Sequence, residues 1–295
     1  MKWHYLALLL LAASPVLAQD AVPPTANCAS CAAWNVDQKP FKVFGNTYYV
    51  GTHELSSILI ATDQGLVVID GDLAESAPLI ARHIRELGFD PKAIKLILNS
   101  HAHYDHASGL AWLQRESGAR VALGPWSAKA LSTGIDPADD PQVALHEPAI
   151  TPLHDIQIIK DGQVLTLGHV ALTAHFTPGH TPGGTNWSWT SCEGTRCLHM
   201  VYADSLTPVS APAYRFTDHP ELLRGFDKSF ATLEALPCDI LLSPHPGMAG
   251  TLEKLKAREA GNTDAFIDSG ACRTYAAAAR AGLQKRLAKE ASPNR

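Results

Sequence analysis

Strand and helix signals alternate along this chain in two similar halves, and this alternation restricts the folds that it can form. In the first half, the β-branched and aromatic runs "FKVFGNTYYV", "SSILIAT" and "GLVVID" predict a meandering sheet. Helices are predicted at "SAPLIARHIRELGF" and at "ASGLAWLQRESG", which ends at Gly118, with the short buried strand "AIKLILNS" between them.

The second half repeats the pattern. Strands are predicted at "IQIIK", "QVLTLG", "VALTAHF" and "DILLS", with a hairpin around Trp187 and Trp189, and helices at "ELLRGFDKSFATLEAL" and "CRTYAAAARAGLQKRLAKE". Two sheets with helices for both outer faces predict an α/β fold of four layers, an αββα sandwich. No Pro/Gly/Ser-rich linker divides the chain, so residues 19–295 are expected to form a single domain.

The amino terminus predicts export. Lys2 precedes an apolar run, and small residues end at Ala18, so residues 1–18 are interpreted as a cleaved signal peptide and the location as periplasmic. The apolar run is too short to span about 30 Å of hydrocarbon, which argues against a membrane anchor. A net charge of −5 and the absence of a basic block argue against a nucleic-acid partner.

Export also predicts that the six cysteines pair as disulfides. Cys192 and Cys197 flank the turn-like "EGTR", so a bridge between them would close a hairpin. A bridge from Cys238 to Cys272 would join the last helix to the core. The pair in "CASC", residues 28 and 31, leaves three alternatives open: a short disulfide, pairing elsewhere or metal binding.

Histidines cluster in loops that follow predicted strands, where mixed sheets gather their functional sites. The loop "NSHAHYDHASG" follows one strand, "TPGHTPGG" follows a second and "SPHPGM" follows a third. Imidazole is a good zinc ligand, and two nearby ions can share a water. These loops therefore predict two metal-ligand sets of three residues, drawn from His101, His103, Asp105, His106, His180 and His245.

The remaining histidines and the aromatic residues receive structural interpretations. His175 lies in a predicted strand, and a buried structural role is favoured for it. Trp34 and the segment around Trp126 could line an apolar groove, but a core or scaffold role is favoured for both. The others are interpreted as solvated or hydrogen-bonded: His4, His53, His83, His146, His154, His169, His199 and His219.

The motif "HAHYDH", followed by "TPGHTPGG", "YADSL" and "SPHPG", resembles the metallo-β-lactamase superfamily over nearly the whole mature chain. Within it the chain is similar to subclass B3, the secreted dizinc type. The third zinc ligand is a histidine, Ser205 stands where subclass B1 enzymes carry a zinc-binding cysteine, and several B3 enzymes have disulfides where the two later cysteine pairs stand. The amino-terminal "CASCAAWN" departs from the familiar B3 pattern.

This resemblance implies a zinc-dependent β-lactamase with two zinc ions. His101, His103 and His180 would bind the first ion, and Asp105, His106 and His245 the second; Ser205 and Thr207 would lie near the substrate carboxylate. A zinc-bound hydroxide, oriented by Asp105, would open the ring of penicillins, cephalosporins and carbapenems and so confer antibiotic resistance. No S-x-x-K motif is present for a serine nucleophile. The expected partner is a small-molecule β-lactam, and the chain is expected to act as a monomer.

Two alternatives remain. Another hydrolase of the superfamily, a lactonase or a glyoxalase II-like thioesterase, would use an aspartate that bridges the metals, and Asp204 in "YADS" is a candidate. A non-catalytic periplasmic zinc-binding protein would need ligands but not Asp105 as an orienting group. Such a protein more often carries a histidine-rich tract, which this sequence lacks.

Overall fold

The aromatic and β-branched runs that follow residue 40 form the first sheet of the computed structural model. The structure describes residues 22, 24–25 and 28–292, so the predicted signal peptide and His4 lie outside the described residues. In chain order and in sheet order, the strands are β1 (Phe41–Phe44), β2 (Thr47–Tyr49), β3 (Ile58–Thr62), β4 (Gly65–Ile69), β5 (Ile94–Leu98), β6 (Arg120–Leu123) and β7 (Ile156–Ile158). Strands β1 to β4 pair antiparallel, and β4 to β7 pair parallel.

The second sheet contains the predicted tryptophan hairpin. Its strands are β8 (Val164–Leu167), β9 (Val170–Phe176), β10 (Thr185–Glu193), β11 (Arg196–Tyr202) and β12 (Ile240–Leu242). They lie in the order β12-β11-β10-β9-β8. All neighbours are antiparallel except β11 and β12, which are parallel.

Alternating side chains divide the protein into layers. Along β4, Val67 and Ile69 belong to the core between the two sheets, whereas Val68 belongs to the core under the first helical layer. Likewise Met200 of β11 lies in the central core, and Val201 packs toward the second helical layer. This two-residue period is expected of strands covered on both faces. The predicted αββα sandwich is therefore confirmed.

Helices cover both outer faces and the sheet edges. In the described part of the chain they are α1 (Cys31–Trp34), α2 (Ala77–Glu86), α3 (Tyr104–Ala107), α4 (Leu110–Ser117), α5 (Pro125–Thr133), α6 (Pro220–Ala235), α7 (Thr251–Glu259) and α8 (Ala271–Ala291). Helix α2 buries Ile80 and Ile84 because they share one face at helical spacing. Helix α4 ends at Gly118, whose φ of 66° lies in the left-handed region that glycine tolerates. Among the described residues, no helix is both long and apolar enough to cross a membrane.

The stretch "IQIIK" differs from its predicted place. It forms β7, which pairs parallel with β6 at the edge of the first sheet, rather than opening the second sheet. Strand β6, "RVAL", and helices α5 and α7 were not predicted from the sequence. A four-residue buried strand has too few positions to display a period, and a strand pattern does not reveal its partner.

All six cysteines are paired in the structure. Cys192 and Cys197 face each other across the β10–β11 hairpin, and Cys238 joins the first turn of α8 through Cys272, so both of these predictions are confirmed. The open question about "CASC" is resolved in favour of the short disulfide between Cys28 and Cys31.

Candidate metal centre

The predicted ligands converge at one edge of the two sheets. His101 and His103 lie between β5 and α3, while Asp105 and His106 lie on α3 itself. The loops after the second-sheet strands supply the others: His180 after β9, Ser205 and Thr207 after β11, and His245 after β12. The structure thus brings together residues that are far apart in the sequence.

A buried carboxylate, Asp70, fixes the start of the histidine loop. It follows β4 and accepts hydrogen bonds from Asn99 Nδ2 at 2.8 Å, Ser100 N at 2.7 Å and Ser100 Oγ at 2.7 Å. Tyr202 of β11 also donates its hydroxyl to Asp70, at 2.7 Å from Oδ2, the oxygen that Ser100 Oγ contacts. These bonds tie the loop after β5 to both sheets, so its backbone is held before any ligand binds.

The first group of ligand atoms comes from His101, His103 and His180. All three side chains are buried, and one nitrogen from each lies within 4.8 Å of the other two. The ring centroids are 4.8 to 4.9 Å apart, at angles of 74° to 88°. Three imidazoles whose nitrogens converge in this way form a ready set of ligands for one metal ion.

Buried acceptors determine which ring nitrogen of each histidine is free. The bonds are His101 Nδ1 to Asp204 Oδ1 at 2.8 Å, His103 Nε2 to Asp140 Oδ2 at 3.2 Å and His180 Nδ1 to the Thr207 carbonyl at 2.8 Å. Because a carboxylate or carbonyl only accepts, each of these nitrogens carries hydrogen. The remaining nitrogen of each neutral ring has a lone pair, as a metal ligand requires.

The amide of Gln142 marks the position between these free nitrogens. Its Nε2 lies 3.5 Å from His103 Nδ1 and 3.5 Å from His180 Nε2. The two nitrogens that face this amide are the two lone-pair nitrogens identified from the hydrogen bonds. A donor group at this position is the arrangement expected where the imidazoles also offer electron pairs to a cation, so the residues fit a metal ion.

The second group contains Asp105, His106 and His245. Asp105 Oδ2 lies 3.1 Å from His106 Nε2 and 3.4 Å from His245 Nε2, and the two imidazole centroids are 4.8 Å apart. Both ring nitrogens of His106 are buried, and the Asp105 contact does not have the geometry of a hydrogen bond, so neither nitrogen has a hydrogen-bond partner among the described residues. The compact group of ligand atoms on this side is formed by His101, Asp105 and His106, and His245 lies at the rim with its side chain 26% exposed.

Burial and neighbouring charges set the protonation of these groups. Burial lowers the pKa of His180 to about 3 and holds that of His101 well below its usual value, so both rings are neutral. Burial has the same effect on His103, but the hydrogen bond and charge of Asp140 outweigh it and raise the pKa of that ring. Burial opposes ionisation of Asp105, yet the neighbouring histidines keep its pKa well below the usual range.

The two groups open into a cavity of about 200 Å³. Ser205 and Thr207 line it, and the buried Ser205 hydroxyl has no hydrogen-bond partner. Trp34 also lines the cavity, with its ring 5.9 Å from that of His245, and at the same time packs against the core under the first helical layer, so it combines the groove and core roles weighed from the sequence. Further walls come from Tyr104, Gln142, Glu147, Val209 and Met248.

The sequence did not indicate Asp140, Gln142 or Glu147. These residues lie between α5 and β7 in a segment without regular periodicity, and nothing local links them to a histidine about 40 residues away. His175 is half-buried and bonds Ser188 Oγ at 2.8 Å, and it does not belong to either ligand group. The same holds for the described histidines that received structural interpretations.

Asp204 contacts the first ligand group on the side of the His101 ring that faces away from the other ligands. Its Oδ1 bonds His101, and its backbone N–H donates to Asn186 Oδ1 at 2.7 Å. It does not join either group of ligand atoms in the described structure. A side chain at Gly184 would place Cβ 2.2 Å from Asp204 Oδ2, so glycine is required there for the carboxylate to fit.

Comparisons with known proteins identify the family of this chain. The family model of the metallo-β-lactamase superfamily matches residues 51–192. The solved structure of Rm3 metallo-β-lactamase has 51% sequence identity and a TM-score of 0.87, and the match covers 90% of this chain and 99% of that one. The chain belongs to the metallo-β-lactamase family.

A relative whose subclass is stated places this metallo-β-lactamase in subclass B3. MEM-A1, a subclass B3 metallo-β-lactamase from a soil metagenome library, is 48% identical with a TM-score of 0.84, and the match covers 88% of this chain and 98% of that chain. MIM-1 from Novosphingobium pentaromativorans is 40% identical with a TM-score of 0.83, over 88% of this chain and 93% of that one.

A more distant relative has a different name. The hydroxyacylglutathione hydrolase of Anaeromyxobacter dehalogenans (strain 2CP-C) is 29% identical to this metallo-β-lactamase over 139 residues. The match covers 47% of this chain and 43% of that protein, so this chain spans less than half the length of the curated relative that it matches.

Proposed function

We propose that this protein is an exported dizinc hydrolase that opens the β-lactam ring of penicillins, cephalosporins and carbapenems and thereby confers antibiotic resistance. The observation that carries the proposal is the likeness to B3 metallo-β-lactamases over nearly their whole length, together with two groups of metal-competent side chains at one edge of this fold. The proposal includes removal of residues 1–18 and a periplasmic location for a single-domain monomer.

His101, His103 and His180 would hold the first zinc, and Asp105, His106 and His245 the second. Bound there, the ions would supply an acidified water as nucleophile and would polarise the lactam carbonyl. The protein would present three imidazoles to the first ion, and one carboxylate and two imidazoles to the second. The cavity side of both groups is open. Open coordination positions distinguish catalytic zinc sites from structural ones.

The remaining groups bind and orient. The Asp105 carboxylate, held ionised beside His106, can accept a hydrogen bond from a water molecule in the cavity and so direct its lone pair toward the substrate. Ser205 and Thr207 offer hydroxyls on the cavity wall to the carboxylate that β-lactams carry next to their ring nitrogen. Trp34, Val209 and Met248 provide the apolar surface that excludes water from the bound ring.

Asp204 argues against the thioesterase alternative. A bridging carboxylate would have to point between the two ligand groups, but Asp204 Oδ1 accepts from the Nδ1–H of His101, on the side of the ring away from the free nitrogen. The relationship to a hydroxyacylglutathione hydrolase is the observation that favours this alternative, and it covers less than half of either chain. We therefore propose β-lactam hydrolysis as the main activity.

The test compares substrates on one purified preparation. Hydrolysis of nitrocefin, a penicillin and imipenem is measured after zinc loading, after prolonged chelation and after zinc is added back, with S-lactoylglutathione as the rival substrate. We expect turnover of all three β-lactams, loss on chelation, recovery with zinc and no inhibition by clavulanate. Turnover of the thioester without turnover of any β-lactam would refute the proposal.

A further inference from the structure

The Cys28–Cys31 disulfide lies beside the metal cavity, far from the other two disulfides in sequence. A disulfide sulfur only accepts, so the Tyr104 hydroxyl donates to Cys28 Sγ across 3.5 Å. Tyr104 stands between the proposed ligands His103 and Asp105 and lines the cavity. The disulfide is therefore in direct contact with the segment that carries the ligands.

The same disulfide fixes the helix that ends in Trp34. Helix α1 is a single turn that begins at Cys31 and ends at Trp34, and a turn this short is not stable without external contacts. Cys31 is buried in the core beneath the first sheet, and Thr52 Oγ1 donates to the Trp34 carbonyl. The Trp34 ring then lies 6.1 Å from Tyr104 and 5.9 Å from His245.

His245 is the proposed ligand whose orientation depends most on the Trp34 ring. The first three histidines are held by Asp204, Asp140 and the Thr207 carbonyl inside the protein. Apart from its fellow proposed ligands Asp105 and His106, His245 has an exposed contact from Nδ1 to the Glu54 carbonyl at 3.2 Å and the Trp34 ring. Loosening α1 would therefore act on the second ligand group and leave the first in place.

We propose that the Cys28–Cys31 disulfide is a positioning element of the second metal site: it holds Trp34 against His245 and Tyr104 beside Asp105. This inference rests on the metal assignment of the proposed function. It gives the "CASC" motif a task within the proposed site. The disulfide itself does not touch the substrate or the ions; it acts through Trp34 and Tyr104.

The test measures zinc affinity without any substrate. The double variant Cys28→Ser, Cys31→Ser is titrated with zinc against a chromophoric chelator, and the variant Cys192→Ser, Cys197→Ser, whose disulfide closes the distant hairpin, is the matched control. Variants are preferred to reduction because thiols bind zinc themselves. We expect zinc at the second site of the first variant to bind about tenfold less tightly, with zinc at the first site and both zinc affinities of the control unchanged.

The variant Trp34→Ala tests whether the disulfide acts through Trp34. We expect it to weaken the same zinc, and to add little further loss when combined with the Cys28 and Cys31 substitutions, because both changes remove one shared contact. Circular dichroism checks the fold, and if the double cysteine variant does not fold, the Trp34→Ala measurement alone decides. Equal second-zinc affinity in the parent and Trp34→Ala, or fully additive losses, would overturn the proposal.

The proposed function can fail separately. A parent protein that binds two zinc ions but opens no β-lactam would refute the enzymatic proposal and leave this titration interpretable. If the parent hydrolyses imipenem but the Cys28, Cys31 and Trp34 variants bind zinc as tightly as the parent, only the role of the disulfide is refuted.

Discussion

Single hydrogen bonds decide which nitrogen each histidine offers. Asp204, Asp140 and the Thr207 carbonyl each remove one ring nitrogen from use and leave the other facing the cavity. The sequence predicted the histidines because four ligand-competent side chains rarely gather in one loop for packing reasons alone. It did not predict their acceptors, because an isolated aspartate in a loop carries no local signature.

Substitution of Asp204 tests whether this residue orients a ligand or bridges the metals. Asp204→Asn keeps an oxygen that can accept from His101, so we expect both zinc ions to remain bound. Asp204→Ala leaves a buried N–H without a partner, and we expect the first zinc to bind about 10–100-fold less tightly. Zinc content and chelator competition measure both effects. Loss of both ions from the Asn variant would instead indicate a bridging carboxylate.

The role of Asp140 can be tested by substitution, with the neighbouring Asp139 as a matched control. Asp140 Oδ1 accepts from the backbone of Gln142 at 2.7 Å while Oδ2 holds His103, so it joins the ligand to the cavity wall. We expect Asp140→Ala to weaken the first zinc about tenfold and to raise KM. Asp139→Ala, which removes only an exposed contact to Trp126 Nε1, should change neither. Equal effects of the two substitutions on zinc affinity would contradict the assigned role.

The sequence predicted the helices and strands that show a hydrophobic period or a capping residue. Helices α2, α6 and α8 and the strands of the second sheet lie where their patterns predicted them. The assignment of β7 to the second sheet was wrong because its partner, β6, was not recognised; Val121 of β6 pairs with Ile156 of β7, far away in the sequence. Pairing between distant strands is set by packing in the whole fold, which no local window contains.

The Cys238–Cys272 disulfide links two elements, β12 and α8, across a sequence separation of 34. Its removal by Cys238→Ser with Cys272→Ser should cost about 3–4 kcal/mol of unfolding free energy, because the unfolded chain regains loop entropy. The Cys192–Cys197 pair, with a separation of 5, should cost about 2 kcal/mol. Thermal unfolding followed by circular dichroism compares them. A larger loss from the shorter loop would show that native contacts dominate instead.

For the molecule as a whole, the sandwich places loops from both sheets at one edge. The central core contains the inner faces of β4, β5, β9, β10 and β11, and the proposed ligands follow the ends of strands in both sheets. Rigid strands that end in short ligand loops explain how residues as distant as His101 and His245 can serve one centre. The same arrangement implies that substituting a loop ligand empties a metal site without unfolding the protein.

The central claim is that two ligand groups hold two zinc ions used for β-lactam hydrolysis. Its most direct test is zinc content, measured together with imipenem turnover, in the parent, His180→Ala, His245→Ala and the exposed control His169→Ala. We predict two zinc ions per chain in the parent and the control. We predict one in each ligand variant, with turnover lower by about a hundredfold or more. Two tightly bound ions in either ligand variant, or full turnover with one ion missing, would contradict the claim.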